Sequence, residues 1–88
     1  MRYYFKLSDD LAREEAILRG KQPKPIQLYP ETPAIAWSAE HNMQSDWWGV
    51  YRFGTPSTEW ADFDSKEEAE AEYYTTSGVE LYEKIHDL

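Results

Sequence analysis

The chain has 88 residues, no cysteine, and 17 acids against 9 Lys and Arg, for a net charge of −8. That length suits one domain with one modest core, and the lack of cysteine excludes a disulfide framework, a thiolate zinc site and a thiol nucleophile. Direct binding to nucleic-acid phosphates is disfavoured, because that affinity comes mostly from Lys and Arg displacing counterions.

The first ten residues carry few apolar side chains before Asp9 and Asp10. They form neither the apolar run of a signal peptide nor a membrane-spanning start, so the expectation is a cytoplasmic protein with no membrane partner. Arg2 to Leu7 alternates, with Tyr3, Phe5 and Leu7 on one side, and predicts a half-buried strand. Ser8 offers an N-cap and Gly20 a stop, so Asp9 to Arg19 reads as a helix with Leu11, Ile17 and Leu18 as its packing stripe. Asp9 with Arg13 and Glu15 with Arg19 stand at the favourable i,i+4 spacing.

Lys21 to Pro33 contains four prolines, which exclude a helix or a central strand and leave room for an edge strand at Ile26 to Tyr29. Ala34 to Ala39 is expected as a strand with Ile35 and Trp37 on one side, and Glu40 to Asp46 as a loop. Trp47 to Phe53 and Thr58 to Phe63, joined by Gly54-Thr55-Pro56-Ser57, predict an antiparallel hairpin. Ser65-Lys66-Glu67-Glu68 has the form of a capping box opening a helix that packs through Ala69, Tyr73 and Thr76 and ends at Gly78. Val79 to Ile85 alternates as a last strand and fits a short helix equally well.

The fold class is therefore α+β: an antiparallel sheet of about four to five strands with two helices mainly on one face, ordered roughly β-α-β-β-β-α-β, in a single domain over residues 1–88.

No catalytic or cofactor motif stands out. His41 has Ser38, Glu40, Ser45 and Asp46 nearby in sequence, but a polar loop commonly contains such residues and a triad requires a geometry that spacing does not enforce. His86 sits two residues from the C-terminal residue, a weak start for a metal site, and the four glycines stand too far apart for a phosphate loop. Pro30-Glu31-Thr32-Pro33 meets the minimal PxxP pattern without a basic neighbour close by. The expectation is a non-enzyme with no cofactor and no metal.

Two features do point to a surface. Residues 1–58 carry seven acids and seven bases, so the whole net charge falls in residues 59–88. Glu59, Asp62, Asp64, Glu67, Glu68, Glu70 and Glu72 then form one acidic stretch suited to a cationic partner surface. Aromatic residues make up 16% of the chain, and Trp47, Tyr51 and Phe53 fall on the opposite side of their strand from Trp48 and Val50. One of these two sets is left exposed unless the proline-rich segment or another subunit covers it.

The stretch from Trp47 to Tyr74, a hairpin running through Phe63-Asp64-Ser65 into a Glu- and Ala-rich helix, is similar in style to small β-β-α proteins of bacteria and their phages. In physical type the chain resembles small inhibitors, DNA-mimicking and phage anti-defence proteins among them, that occupy basic nucleic-acid channels. The functional expectation is a non-enzymatic interaction protein that binds a basic surface of a protein partner, such as a nucleic-acid-binding protein whose site it blocks. The alternative is a structural or regulatory homodimer that buries an aromatic sheet face.

Overall fold

A computed structural model describes residues 1–50 and 61–75. Among these, three strands and three helices follow in the order β1 (Tyr3–Lys6), α1 (Leu7–Leu18), β2 (Tyr29–Pro30), α2 (Pro33–His41), β3 (Trp47–Gly49) and α3 (Lys66–Thr75). The architecture is α+β with a small antiparallel sheet, as expected. The four to five strands and two helices are replaced, among the described residues, by three of each.

The sheet order is β2-β1-β3, with the first strand at its centre. Tyr3 pairs with Pro30 and Tyr4 with Tyr29 on one side, while Tyr4, Phe5 and Lys6 pair with Gly49, Trp48 and Trp47 on the other. This register sends Phe5 and Trp48 to one face and Lys6 and Trp47 to the other. The first face holds the core: Phe5, Ile26, Leu28, Val50, Phe63, Ala69 and Tyr73 are buried together, with Tyr3, Trp48 and Ala61 packed against them. Of the two sets that compete for the inside, Trp48 and Val50 face this core.

The proline-rich segment seals the edge of this core with Ile26 and Leu28, and its strand covers Tyr29–Pro30 rather than Ile26 to Tyr29. Phe63 exchanges two backbone bonds with Met1, N–H to carbonyl at 2.8 Å and terminal amine to carbonyl at 3.1 Å. Ala61 to Phe63 therefore run beside the start of β1, although they form no assigned strand. The predicted hairpin turn, Thr58 to Trp60, and the last element at Val79 to Ile85 lie outside the described residues.

The expected strand at Ala34 to Ala39 is a helix. Thr32 caps it, its hydroxyl accepting the Ile35 N–H at 3.2 Å, and Pro33 occupies the first turn, where a missing N–H costs nothing. Four alanine and serine residues within nine then favour helix over strand once the chain has started to turn. This helix carries the chain from β2 to β3 and packs against β3. Tyr4, on the face opposite Phe5, is fully buried and outside the core cluster. Arg2, on that same face, is held by Glu40 of α2 at 3.0 Å.

The first helix also differs from expectation. It begins directly at Leu7 with Lys6 in the capping position, and Ser8 lies inside it, giving its N–H and hydroxyl to Asp46 at 2.9 and 2.6 Å. Its end is as predicted. Gly20 has φ of +70°, the left-handed conformation that costs an L-residue most, and the bonds Gly20 N–H to Ile17 O and Lys21 N–H to Ala16 O close the helix.

Because the Thr32 hydroxyl supplies one of the few bonds to the free N–H groups of α2, Thr32→Ala is expected to lower stability by about 1 kcal/mol. Urea unfolding of the two proteins measures it, and an unchanged midpoint would mean that the cap contributes nothing.

Candidate functional site

The acidic helix α3 is built by its own sequence. The Ser65 hydroxyl accepts the Glu68 N–H at 3.1 Å while the Glu68 carboxylate accepts the Asp64 N–H at 3.1 Å, so the predicted capping box forms with its return bond displaced to the residue before Ser65. Ala69 and Tyr73, one turn apart, turn inward as predicted. Asp62, Asp64 and Glu67 are exposed, and Glu68, Glu70 and Glu72 are half-buried. The described residues 61–75 hold these six acids against Lys66 alone.

The pairings around this surface are weak ones. Lys66 reaches Glu70 at 4.0 Å and the Met1 ammonium reaches Asp62 at 3.8 Å, both in solvent, where such pairs contribute at most about 1 kcal/mol. Glu68 is engaged as a cap, while Asp62, Asp64 and Glu67 stand exposed and Glu70 and Glu72 half-buried beside them.

Behind this surface lies a polar junction that the sequence reading missed. Asp10 and Glu14, one turn apart on α1, are 1% and 5% exposed. The Tyr73 hydroxyl donates to one Asp10 oxygen, and Arg13 donates to the Tyr73 oxygen at 3.1 Å. The Arg13 guanidinium also lies over the Tyr73 and Tyr74 rings, 5.5 and 4.9 Å from their centroids, and its Nε donates to the Lys24 carbonyl at 3.0 Å. Tyr74 accepts the Ile26 N–H at 2.9 Å, tying the same helix to the proline-rich segment.

Burial pushes the Asp10 carboxyl above the ordinary carboxylate range, with the Tyr73 hydroxyl and Arg13 opposing the shift. Burial raises Glu14 in the same direction, and the charge of Asp10 adds to it. Tyr73 is held protonated well beyond its usual range, first by burial and then by its bond to Asp10.

Of the stripe predicted for α1, Leu11 is half-buried and the other two residues are not inside. Ile17 and Leu18 are exposed, Leu18 at 73%, and Arg13 turns to Tyr73 and Lys24 instead of Asp9. The signal was present in the spacing: Leu7, Asp10, Leu11 and Glu14 follow the i, i+3, i+4, i+7 rule for one face. Two of those four are acids, and charge is ordinarily read as solvent-facing.

Of the remaining predicted site residues, Trp47 is half-buried on the sheet face opposite α3. Its ring meets Tyr29 across β1 at 5.1 Å, and the Lys6 ammonium lies 5.6 Å from the Trp47 centroid. The fold therefore separates Trp47 from the acidic helix. Glu59, Tyr51 and Phe53 lie outside the described residues.

Among the described residues no Ser-His-acid set assembles around His41. Its ring stacks on Trp37 within α2 at 5.3 Å, Glu40 binds Arg2, Asp46 binds Ser8, and Ser45 accepts the Trp47 N–H at 3.1 Å. Among the described residues no group of three or more His, Asp or Glu could hold a metal ion, and no helix is long and apolar enough to cross a membrane.

Comparison of the chain with family models, with curated proteins and with solved structures finds no match.

The Tyr73 hydroxyl is the bond that α3 makes to α1 through Asp10. Tyr73→Phe removes it and leaves a buried carboxyl without that donor, so a loss of about 1–3 kcal/mol is expected in urea unfolding at neutral pH. A Phe variant as stable as the parent would show that the junction does not hold the two helices.

Proposed function

We propose that the protein is a small, acidic, non-enzymatic interaction protein whose α3 surface docks on a basic surface of a protein partner, in its specific form obstructing that partner's nucleic-acid site. The observation that carries this reading is the division of α3. Its inner face is fixed by Ala69 and Tyr73, while Asp62, Asp64 and Glu67 stand exposed with Glu70 and Glu72 beside them.

A solubilising charge has no need of such an arrangement. Solubility follows net charge, which acids anywhere on the surface would supply. Recognition of a cationic surface depends on where the acids stand, because complementary potentials steer encounter and suppress wrong orientations. A rigid helix anchored by a buried tyrosine presents its carboxylates at fixed spacing, which lowers the ordering cost on binding. A phosphate-binding groove on the partner, lined by Lys and Arg, is the chemical counterpart of such a helix.

The test compares two pairs of substitutions that remove the same charge. Asp64→Asn with Glu67→Gln neutralises exposed acids of the α3 region, and Asp9→Asn with Glu15→Gln neutralises exposed acids of α1. With a partner captured at low salt, the first pair is expected to slow association several-fold and to flatten its salt dependence, and the second to do neither. DNA added in excess is expected to compete for that partner. Equal effects of the two pairs, or indifference to both, would remove α3 as the recognition surface.

A further inference from the structure

The Asp10–Glu14 pair supports an inference that stands apart from the docking surface. The two carboxyls occupy consecutive turns of α1, both are more than nine-tenths buried, and they face the core with Arg13 as the cation acting on both. The hydrogen bonds of Arg13 go to the Lys24 carbonyl and the Tyr73 hydroxyl, and its plane is occupied by the Tyr73 and Tyr74 rings. It therefore offsets the pair only through space. One Asp10 oxygen accepts from Tyr73, while the other has no hydrogen-bond partner among the described residues although it is buried.

Two negative charges beside one positive charge among the described residues, with one Asp10 oxygen buried and unbonded, are an unstable arrangement, because a buried ionised carboxylate lacking full hydrogen bonding costs several kcal/mol, roughly. Such groups relieve the cost by taking up a proton. We propose that the Asp10–Glu14 pair is a proton-holding latch between α1 and α3: the folded chain binds a proton there that the unfolded chain releases, so acidification tightens the junction. Among the described residues the groups acting on the pair are Arg13 on its own helix and Tyr73 on α3, with Tyr74 and the Lys24 carbonyl holding Arg13 in place. A proton on the unpartnered Asp10 oxygen cancels one charge of the pair and leaves the other oxygen to accept from Tyr73.

The sign follows from the direction in which both carboxyls are displaced. Each is raised in the folded state, so the stability it contributes is complete below the ordinary carboxylate value of about 4 and is lost as pH rises through the raised value. Within that window each proton taken up on folding changes the folding equilibrium by up to about tenfold per pH unit.

Side-chain carboxyl carbon chemical shifts, followed by NMR on the full chain from pH 3 to 8, test the latch directly. At least one of Asp10 and Glu14 is expected to titrate above the exposed neighbours Asp9 and Glu15 in the same spectra. Both titrating together with Asp9 and Glu15 would overturn the proposal.

A second measurement is independent of that assignment. Urea unfolding across the same range is expected to show a pH slope that Asp10→Asn and Glu14→Gln each reduce and that Asp9→Asn leaves in place. Equal slopes in all four folded proteins would overturn the proposal as well. If either amide variant does not fold, the carboxyl titration of the parent chain decides the matter alone.

Discussion

The structure depends on a central strand of four residues that is buried on both faces. The β1 strand pairs with β2 and β3 at once, so every neighbour is positioned by it. Phe5 belongs to the core beneath α3, where its ring meets Tyr73 edge to face at 5.2 Å. Tyr4, one residue earlier, is as deeply buried on the other side. A tyrosine suits that position because its ring can be fully buried while its hydroxyl reaches Glu31, 3.5 Å away. Burial holds that hydroxyl above its ordinary range, against the opposing Arg2 guanidinium. A strand so short cannot be stable alone, and two covered faces supply what its length does not.

Covering both faces with so little chain explains the crossover helix. The segment between β2 and β3 must pass over β1 in either case, and a short helix is a compact way to do so while satisfying its own backbone bonds. Half-buried Ile35, Ala36 and Ala39 lie at helical spacing, and Trp37 is left outside at 62% exposure. The same crossing divides the molecule chemically. On the α2 side lie Trp47, Tyr29 and Lys6, a mixed aromatic and cationic patch; on the other side lies α3 with its carboxylates.

The acidic helix thus has two distinct roles along its length. Outwardly it concentrates charge, and inwardly it closes the core through Ala69 and Tyr73. Its attachment to α1 is polar rather than apolar, made by Tyr73, Asp10 and Arg13 instead of interleaved leucines. Polar junctions of this kind are sensitive to protonation in a way that an aliphatic seam is not. A helix held by a carboxyl and a phenol is consequently coupled to solution conditions at the point where it meets the rest of the fold.

The sequence by itself determined the elements whose signals are local. Alternation around Phe5 marked β1, Gly20 marked the end of α1, Ser65 and Glu68 marked the start of α3, and the charge count assigned the acid excess to the last third of the chain. Trp48, Val50, Ala69 and Tyr73 were legible as inward residues because period and face go together. Tertiary structure alone decided the rest. Ala34 to Ala39 reads as a strand, and the Thr32 cap together with the crossing from β2 to β3 selected helix instead. Asp10 and Glu14 read as solvent-facing acids, and only the arrival of Tyr73 and Arg13, 63 and 3 residues from Asp10, made an interior place for them. Trp47 and the acids of α3 read as one candidate surface, yet pairing Trp47 with Lys6 sent it to the opposite face. For Asp10 and Trp47 the deciding partners, Tyr73 and Lys6, were remote in sequence, and a window of neighbouring residues contains no information about a contact that the chain makes only after it has folded.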